Sequence, residues 1–108
     1  MTTREIAEGE QEQGSHEEIT YTLTTTRWGS SPTSPEVKVY SVDEDANPNT
    51  LTEVTNTIMP SGSPSILGDV ISLPKALGMT AGTLYRVDIA FTISNNKLEA
   101  YGLIRCTR

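Results

Sequence analysis

Residues 85–93 alternate strictly between apolar side chains and polar or small ones, and this pattern constrains the fold more than any other part of the chain. The apolar positions are Tyr85, Val87, Ile89, Phe91 and Ile93. A period of two sends successive side chains to opposite faces, so the segment is predicted to be a half-buried β-strand. Asn95 and Asn96 tolerate the positive φ angles of a tight turn, which predicts a hairpin into a partner strand over residues 97–107.

Shorter stretches of strand-like sequence follow one another after residue 18, separated by turn-rich loops. Further strands are predicted over residues 19–27, 36–42, 51–54, 57–59 and 69–73. Glycine, proline and serine mark the loops at 28–35 and 60–65. Residues 74–78 begin with proline and end with glycine, as a single helical turn does. Six or seven short strands without a long helix predict an all-β, antiparallel β-sandwich over residues 18–108.

The acidic charge is concentrated at the N-terminus. The chain carries −6, and residues 1–18 account for −5 of it, with six acidic residues and one basic residue. Residues 1–17 are rich in Glu, Gln, Gly and Ser, and beyond Met1 only Ile6 and Ala7 are apolar. Such a segment buries too little apolar surface to offset its ordering entropy. We therefore predict a disordered acidic tail over residues 1–17 that precedes the folded domain.

Several classes of chemistry lack their usual sequence signals. Cys106 is the only cysteine, so it can form neither an intramolecular disulfide nor a cysteine-based zinc site. Basic residues form no cluster of the kind that nucleic acids require, and no apolar run has the length of a membrane span. Asp88 and Glu99 fall on facing predicted strands, but nothing in the sequence indicates a cleft that shifts their pKa values. We expect no catalytic residue, cofactor or metal, and neither a membrane nor a nucleic acid as partner.

The segment Leu77-Gly-Met-Thr-Ala-Gly-Thr-Leu-Tyr-Arg-Val87 resembles a corner found in immunoglobulin-like and fibronectin type III domains. In those families a leucine and a glycine turn precede a tyrosine whose hydroxyl bonds back to the backbone of the corner. Leu77, Gly82 and Tyr85 match these positions. The resemblance implies an immunoglobulin-like sandwich and a structural role for the three residues, but it carries no information on function.

A wider resemblance covers residues 18–107. A threonine-rich strand ends near Trp28, a valine-rich strand and a Gly/Ser/Pro-rich middle follow, and a closing hairpin completes the order. This layout is similar to that of small immunoglobulin-like proteins encoded by tailed phages and prophages. It implies a non-enzymatic structural or interaction protein, a virion accessory (head–tail or decoration) component. Its partners are expected to be virion proteins or further copies of itself, in the virion or in the bacterial cytoplasm before assembly.

Binding residues tend to lie on loops that a rigid scaffold holds in place. The predicted partner contacts therefore lie in the two serine-rich loops: Trp28, Ser30, Ser31, Thr33, Ser61 and Ser63. The alternative function is a carbohydrate-binding or adhesive module of an extracellular bacterial surface protein. In that case Trp28 with Tyr40 or Tyr101 forms an aromatic platform for a sugar.

Overall fold

Strands dominate the structure, a computed structural model that describes residues 2–5, 10–44, 50–60 and 63–107. The described elements are β1 (Thr2–Glu5), β2 (Gln11–Gln13), β3 (Ile19–Thr24), β4 (Thr33–Asp43), β5 (Thr50–Glu53), a helical turn α1 (Thr55–Ile58), β6 (Ser65–Leu67), β7 (Val70–Ser72), β8 (Leu84–Ile93) and β9 (Asn96–Cys106). The all-β fold class is confirmed.

These strands form two sheets. The four-stranded sheet has the order β1-β3-β7-β6, and the five-stranded sheet has the order β2-β9-β8-β4-β5. Neighbouring strands are antiparallel except at the N-terminus, where β1 runs parallel to β3 and β2 runs parallel to β9. The described residues thus contain nine strands rather than six or seven, because the N-terminal segment adds one strand to each sheet.

The core lies between the two sheets and takes side chains from both. Tyr21, Leu23 and Ile71 come from the four-stranded sheet, and residues such as Val39 and Ile89 come from the five-stranded sheet. Burial from Tyr85 to Ile93 alternates as the sequence predicts: the five large apolar residues are buried, and the polar or small residues between them are half-buried on the outer face. The amphipathic alternation of the central strands therefore sets which faces meet.

The β8–β9 hairpin turns one residue earlier than predicted. Ile93 pairs with Asn96, so the two turn residues are Ser94 and Asn95, with φ angles of 50° and 67°. Two positive φ angles match the right-handed twist of the flanking strands. Asn95 has a positive φ as expected but is the second turn residue, the position predicted for Asn96, and Ser94 takes the first.

The described part of the N-terminal segment is ordered into strands, which differs from the predicted disordered tail. β1 adds to β3, β2 adds to β9, and Gln13 is 1% exposed. The Gln13 amide donates to the carbonyls of Ala76 and Glu17, at 2.9 Å each, and accepts from the Tyr21 hydroxyl at 3.0 Å. Backbone pairing with two existing sheets and one buried amide therefore hold a segment that has no apolar stripe.

Two shorter predictions are also corrected. Residues 57–59 do not form a strand, since Thr57 and Ile58 belong to α1, and an unforeseen strand, β6, lies at Ser65–Leu67. Residues 74–78 do not form the predicted helical turn, since Ala76 makes an isolated β-bridge with Ile19 and Gly78 has a φ of 69°. Ala76 exchanges backbone hydrogen bonds with Ile19, at 3.1 and 2.8 Å, and this pairing with the start of β3 outweighs the local preference of Pro74 and Gly78 for a helical turn.

The corner before β8 has the hydrogen bond that its sequence predicts. The Tyr85 hydroxyl accepts a hydrogen bond from the backbone N–H of Thr80 at 2.9 Å. Gly82 has a φ of 84°, and its N–H donates to the carbonyl of Cys106 at 2.8 Å. Leu77 is half-buried, and its N–H donates to the carbonyl of Ile58 at 2.9 Å. The corner thus joins the entrance of β8 to the end of β9 and to α1.

Substituting Tyr85→Phe is expected to lower the free energy of unfolding by about 1 kcal/mol, since it removes one partly buried hydrogen bond and keeps the ring. Urea denaturation with an unchanged m-value measures this loss. Tyr101→Phe is the matched control, because the Tyr101 side chain is 59% exposed. Equal stability of Tyr85→Phe and the wild type would contradict the structural role of the corner.

Candidate functional site

Three turns meet at one end of the molecule and form a surface that we call the loop tip: residues 25–31, residues 68–69 and residues 94–95. The first follows the end of β3, and the other two close the β6–β7 and β8–β9 hairpins. The strand directions bring them together, because β3, β6 and β8 all end at this side of the two sheets.

Thr25 and Asp69 fasten the first turn of the loop tip to the second. Thr25 is fully buried, and both its N–H and its hydroxyl donate to the Asp69 carbonyl, at 2.7 and 3.1 Å. The Asp69 carboxylate accepts from the Ser31 N–H and from the Thr26 hydroxyl, each at 3.3 Å. The loop that carries Trp28 is therefore tied at its start and at its end to one residue of the neighbouring hairpin.

The backbone of the loop tip takes conformations that side chains rarely adopt. Positive φ angles occur at Gly29 (142°), Ser31 (58°) and Gly68 (61°), besides the two residues of the β8–β9 turn. Residues other than glycine seldom have a positive φ, and they keep it only where the surrounding structure imposes it. At Ser31 and Ser94 the conformation is thus imposed by the surrounding structure rather than by local preference.

Trp28 is partly held by the core and partly available at the surface. Its ring packs on Phe91 with centroids 5.8 Å apart and an interplanar angle of 54°, yet the residue remains 37% exposed. The Arg27 guanidinium lies 5.6 Å from the centre of the same ring. The loop tip therefore presents a positioned indole beside a cation, and tryptophan and arginine are the residue types that most often dominate binding energy at interfaces.

The structure brings only part of the predicted contact set together. Ser30 and Ser31 are exposed on the loop tip, and Thr33 follows at the start of β4, where its hydroxyl donates to the Thr92 carbonyl at 3.4 Å. Ser63 is exposed but precedes β6, which runs toward the loop tip, so Ser63 lies at the far end of that strand. Ser61 lies outside the described residues.

A second surface, the outer face of the five-stranded sheet, carries a cluster of Arg86, Asp88 and Tyr101 that was not predicted as a group. The Arg86 guanidinium lies 4.4 Å from the centre of the Tyr101 ring, and its Nε donates to Asp88 at 2.7 Å. The hydrogen bond to Asp88 is the main reason that the pKa of Arg86 is raised, and the nearby Tyr101 and Tyr40 hydroxyls add to it. The opposite charges of Arg86 and Asp88, at successive outward positions of β8, are the sequence signal that could have indicated this cluster.

This cluster borders a shallow groove of about 330 Å³. The polar side chains that line it are Glu36, Lys38, Tyr40, Asp88, Lys97 and Glu99. Asp88 and Glu99 thus share one groove, although the Asp88 carboxylate is already paired with Arg86. The predicted platform of Trp28 with Tyr40 or Tyr101 is not formed, since Trp28 packs on an inward-facing residue whereas both tyrosines lie on the outer face.

Cys106 and His16 are the sole cysteine and the sole histidine of the chain. Cys106 is fully buried at the end of β9, and His16 is exposed in the turn before β3. Within residues 10–44, 50–60 and 63–107, no three His, Cys, Asp or Glu side chains gather in a way that could hold a metal ion. Nor does the described part of the chain contain a helix with the length and apolarity of a membrane span.

Comparison of the chain with protein-family models, with curated proteins and with solved structures found no significant match.

Proposed function

We propose that this chain is an immunoglobulin-like sandwich that acts as a non-enzymatic binding module. The strand order supports the fold assignment. The run β3-β7-β6 facing β9-β8-β4-β5 corresponds to strands B, E and D facing G, F, C and C′ of that fold. The tyrosine corner before β8 occupies the position at which the fold places it, ahead of strand F.

The loop tip is the proposed binding surface. The observation that carries this proposal is the pair of bonds from Thr25 to Asp69, which fixes the loop displaying Trp28. A loop that is already ordered loses less conformational entropy on binding, so more of its contact energy appears as affinity. Trp28 and Arg27 supply an anchor of the kind found at the centre of interfaces, and the serines around them supply hydrogen-bonding groups at its rim.

We further propose that the partner is a virion protein, and that the chain is an accessory (head–tail or decoration) component of a tailed phage or prophage. The support for this is the resemblance in strand order and size to small immunoglobulin-like phage proteins. Fold alone does not assign a function, so the proposal requires a test on assembled particles.

Substitution of Trp28 by alanine is expected to reduce the amount of this protein in purified phage particles by roughly tenfold, the effect of losing about 1.4 kcal/mol at a hot spot. Quantitative mass spectrometry of particles produced by a host that carries the gene measures the incorporation. Leu51→Ala is the matched control, because Leu51 is similarly exposed, at 43%, but lies on β5, away from the loop tip.

Circular dichroism must show that both variants are folded, since Trp28 also packs on Phe91. Absence of the wild-type protein from the particles would refute the virion assignment. Equal incorporation of the Trp28 and Leu51 variants would refute the loop tip as the contact.

A carbohydrate-binding module of a bacterial surface protein remains the second candidate, and the groove on the outer face favours it. Tyr40 borders the groove, Tyr101 lies beside it, and Glu36, Lys38 and Glu99 offer both acceptors and donors to hydroxyl groups. A glycan array followed by titration tests it. A saturable interaction that Tyr101→Ala abolishes and Trp28→Ala leaves intact would favour this candidate over the loop-tip proposal.

A further inference from the structure

The sheet edges on the two sides of the sandwich differ in whether an N-terminal strand covers them. On one side, the N-terminal strands β1 and β2 cover the edges of β3 and β9. On the other side, β6 ends the four-stranded sheet and β5 ends the five-stranded sheet, and no strand among the described residues pairs with either on its outer side. Every residue of β5 and β6 is exposed. An uncovered edge strand presents backbone groups on which another strand can pair.

β6 is the less protected of the two edges. Its sequence is Ser65-Ile66-Leu67, with Ile66 36% exposed and Leu67 84% exposed. Natural proteins block edge strands with charged residues, proline or a bulge, and β6 itself contains no charged residue and no proline. Pairing along this strand would bury the two apolar side chains.

The backbone register of the β6–β7 hairpin determines which groups are free to pair. Leu67 pairs with Val70 across the two-residue turn Gly68–Asp69, and a turn of this length is closed by a hydrogen-bonded pair. Hydrogen-bonded and non-hydrogen-bonded pairs alternate along antiparallel strands. The N–H and the carbonyl of Ile66 therefore point away from β7, toward the open edge.

The distribution of charge indicates what can approach this edge. The whole chain carries −6, and residues 1–18 carry −5 of it. Their described strands lie on the side opposite β6, so two copies that approach through β6 keep their acidic segments apart. β5 is less suited to self-pairing, because it contains the charged Glu53 and its first residue, Thr50, pairs with Asp43.

We propose that β6 is a self-association site, at which the occupant is β6 of a second copy of this chain in antiparallel orientation. A two-fold axis at Ile66 gives two backbone hydrogen bonds between the Ile66 residues of the two copies and joins their four-stranded sheets into one. Leu67 of each copy then lies opposite Ser65 of the other. This inference does not depend on the loop tip, which lies on turns that the pairing leaves open.

The contact is short, so the association is expected to be weak and dependent on concentration, with a dissociation constant in roughly the 10 µM to 1 mM range. Copies that are already held side by side on a larger assembly would pair far more readily, since their effective concentration is high.

Sedimentation velocity over a concentration series up to about 1 mM tests the proposal. We expect reversible dimers of the wild-type chain, and we expect Leu67→Lys to weaken dimerisation by about tenfold or more. Leu67 and its symmetry mate are diagonal neighbours about 7–8 Å apart in the proposed pairing, so the substitution places two lysines close together. Because Leu67 is 84% exposed, this change leaves the monomer fold intact.

Leu51→Lys on β5 is the matched control and is expected to leave dimerisation unchanged, because it removes none of the β6 contacts. Absence of dimers across the series would overturn the proposal. Loss of dimers in Leu51→Lys with retention in Leu67→Lys would also overturn it and assign the contact to β5.

Disulfide trapping provides a second measurement. Paired residues in a hydrogen-bonded antiparallel position have Cα atoms about 5.5 Å apart, which a disulfide can span. Ile66→Cys is expected to form a covalent dimer readily under mild oxidation, whereas Leu51→Cys is not, and the native Cys106 is buried and does not compete. Equal cross-linking at positions 51 and 66 would contradict the proposed register.

Discussion

Replacing Gln13 with alanine is expected to lower the free energy of unfolding by about 2–4 kcal/mol. The amide makes two fully buried hydrogen bonds, one to the Ala76 carbonyl and one from the Tyr21 hydroxyl, and a third to the Glu17 carbonyl. Removing one partner from a buried hydrogen bond costs about 1–3 kcal/mol. For a domain of this size, the loss corresponds to a decrease in melting temperature of roughly 10 °C or more, which differential scanning calorimetry measures.

Two truncations separate the contribution of Gln13 from that of the strand before it. Deleting residues 1–9 removes β1 and keeps β2, whereas deleting residues 1–13 removes both strands and the amide. We expect the shorter deletion to be the milder one and the longer deletion to be at least as damaging as Gln13→Ala. An unchanged melting temperature after deletion of residues 1–13 would show that the segment is a dispensable tail.

Replacing Gly29 with alanine is expected to cost about 2–4 kcal/mol and to displace the loop that carries Trp28. A Cβ atom at this position would lie 2.7 Å from Cγ2 of Ile93, and the φ of 142° is one that other residues rarely adopt. Forcing extra volume into a packed site costs about 1–3 kcal/mol, and backbone strain adds to it. Chemical denaturation measures the loss of stability, and the fluorescence of Trp28 reports the change around its ring.

Gly68→Ala is the control for the backbone contribution. Gly68 also belongs to the loop tip and has a φ of 61°, but no atom lies within 4 Å of the Cβ that alanine would add. We expect it to cost only about 1 kcal/mol, the strain of a left-handed residue without a collision. If the two alanine variants were equally stable, the contact between Gly29 and Ile93 would not restrict the loop.

The sequence predicts the central strands well because their burial is amphipathic. The alternation from Tyr85 to Ile93 identifies both β8 and its inward face, and Tyr85 also marks the corner before it. The turn after β8 is displaced by one residue, since the positive φ of Ser94 comes from strand register rather than from its own preference. Local propensity also fails at Ala76, where pairing with Ile19 replaces the predicted helical turn.

The N-terminal strands were not predictable from composition. Apolar burial is the usual means of offsetting ordering entropy, and residues 1–17 have almost no apolar side chains. The described strands there depend on hydrogen bonds to sheet edges that exist only after the rest of the chain has folded, and on the single amide of Gln13. No pattern in the sequence distinguishes this glutamine from Gln11 and Glu12, which are not buried.

The candidate site was predicted in part. Trp28 and the serines beside it were identified because binding residues tend to lie on loops held by a rigid scaffold, and they lie on the loop tip. The role of Asp69 depends on contacts across 38 to 44 residues of chain, and the Arg86–Tyr101 contact depends on strand register. Neither arrangement has a local signal, so only the assembled sheets reveal them.

Site-specific photo-cross-linking tests the proposed binding function most directly. A photoreactive amino acid is introduced at Ser30, on the loop tip, or at Thr52, on β5, in the organism that makes the protein, and each position is exposed in the structure. We expect one discrete adduct from position 30, with a protein that mass spectrometry identifies as a virion component, and no matching adduct from position 52. The same adduct from both positions, or an adduct from position 52 alone, would contradict the assignment of the loop tip as the binding surface.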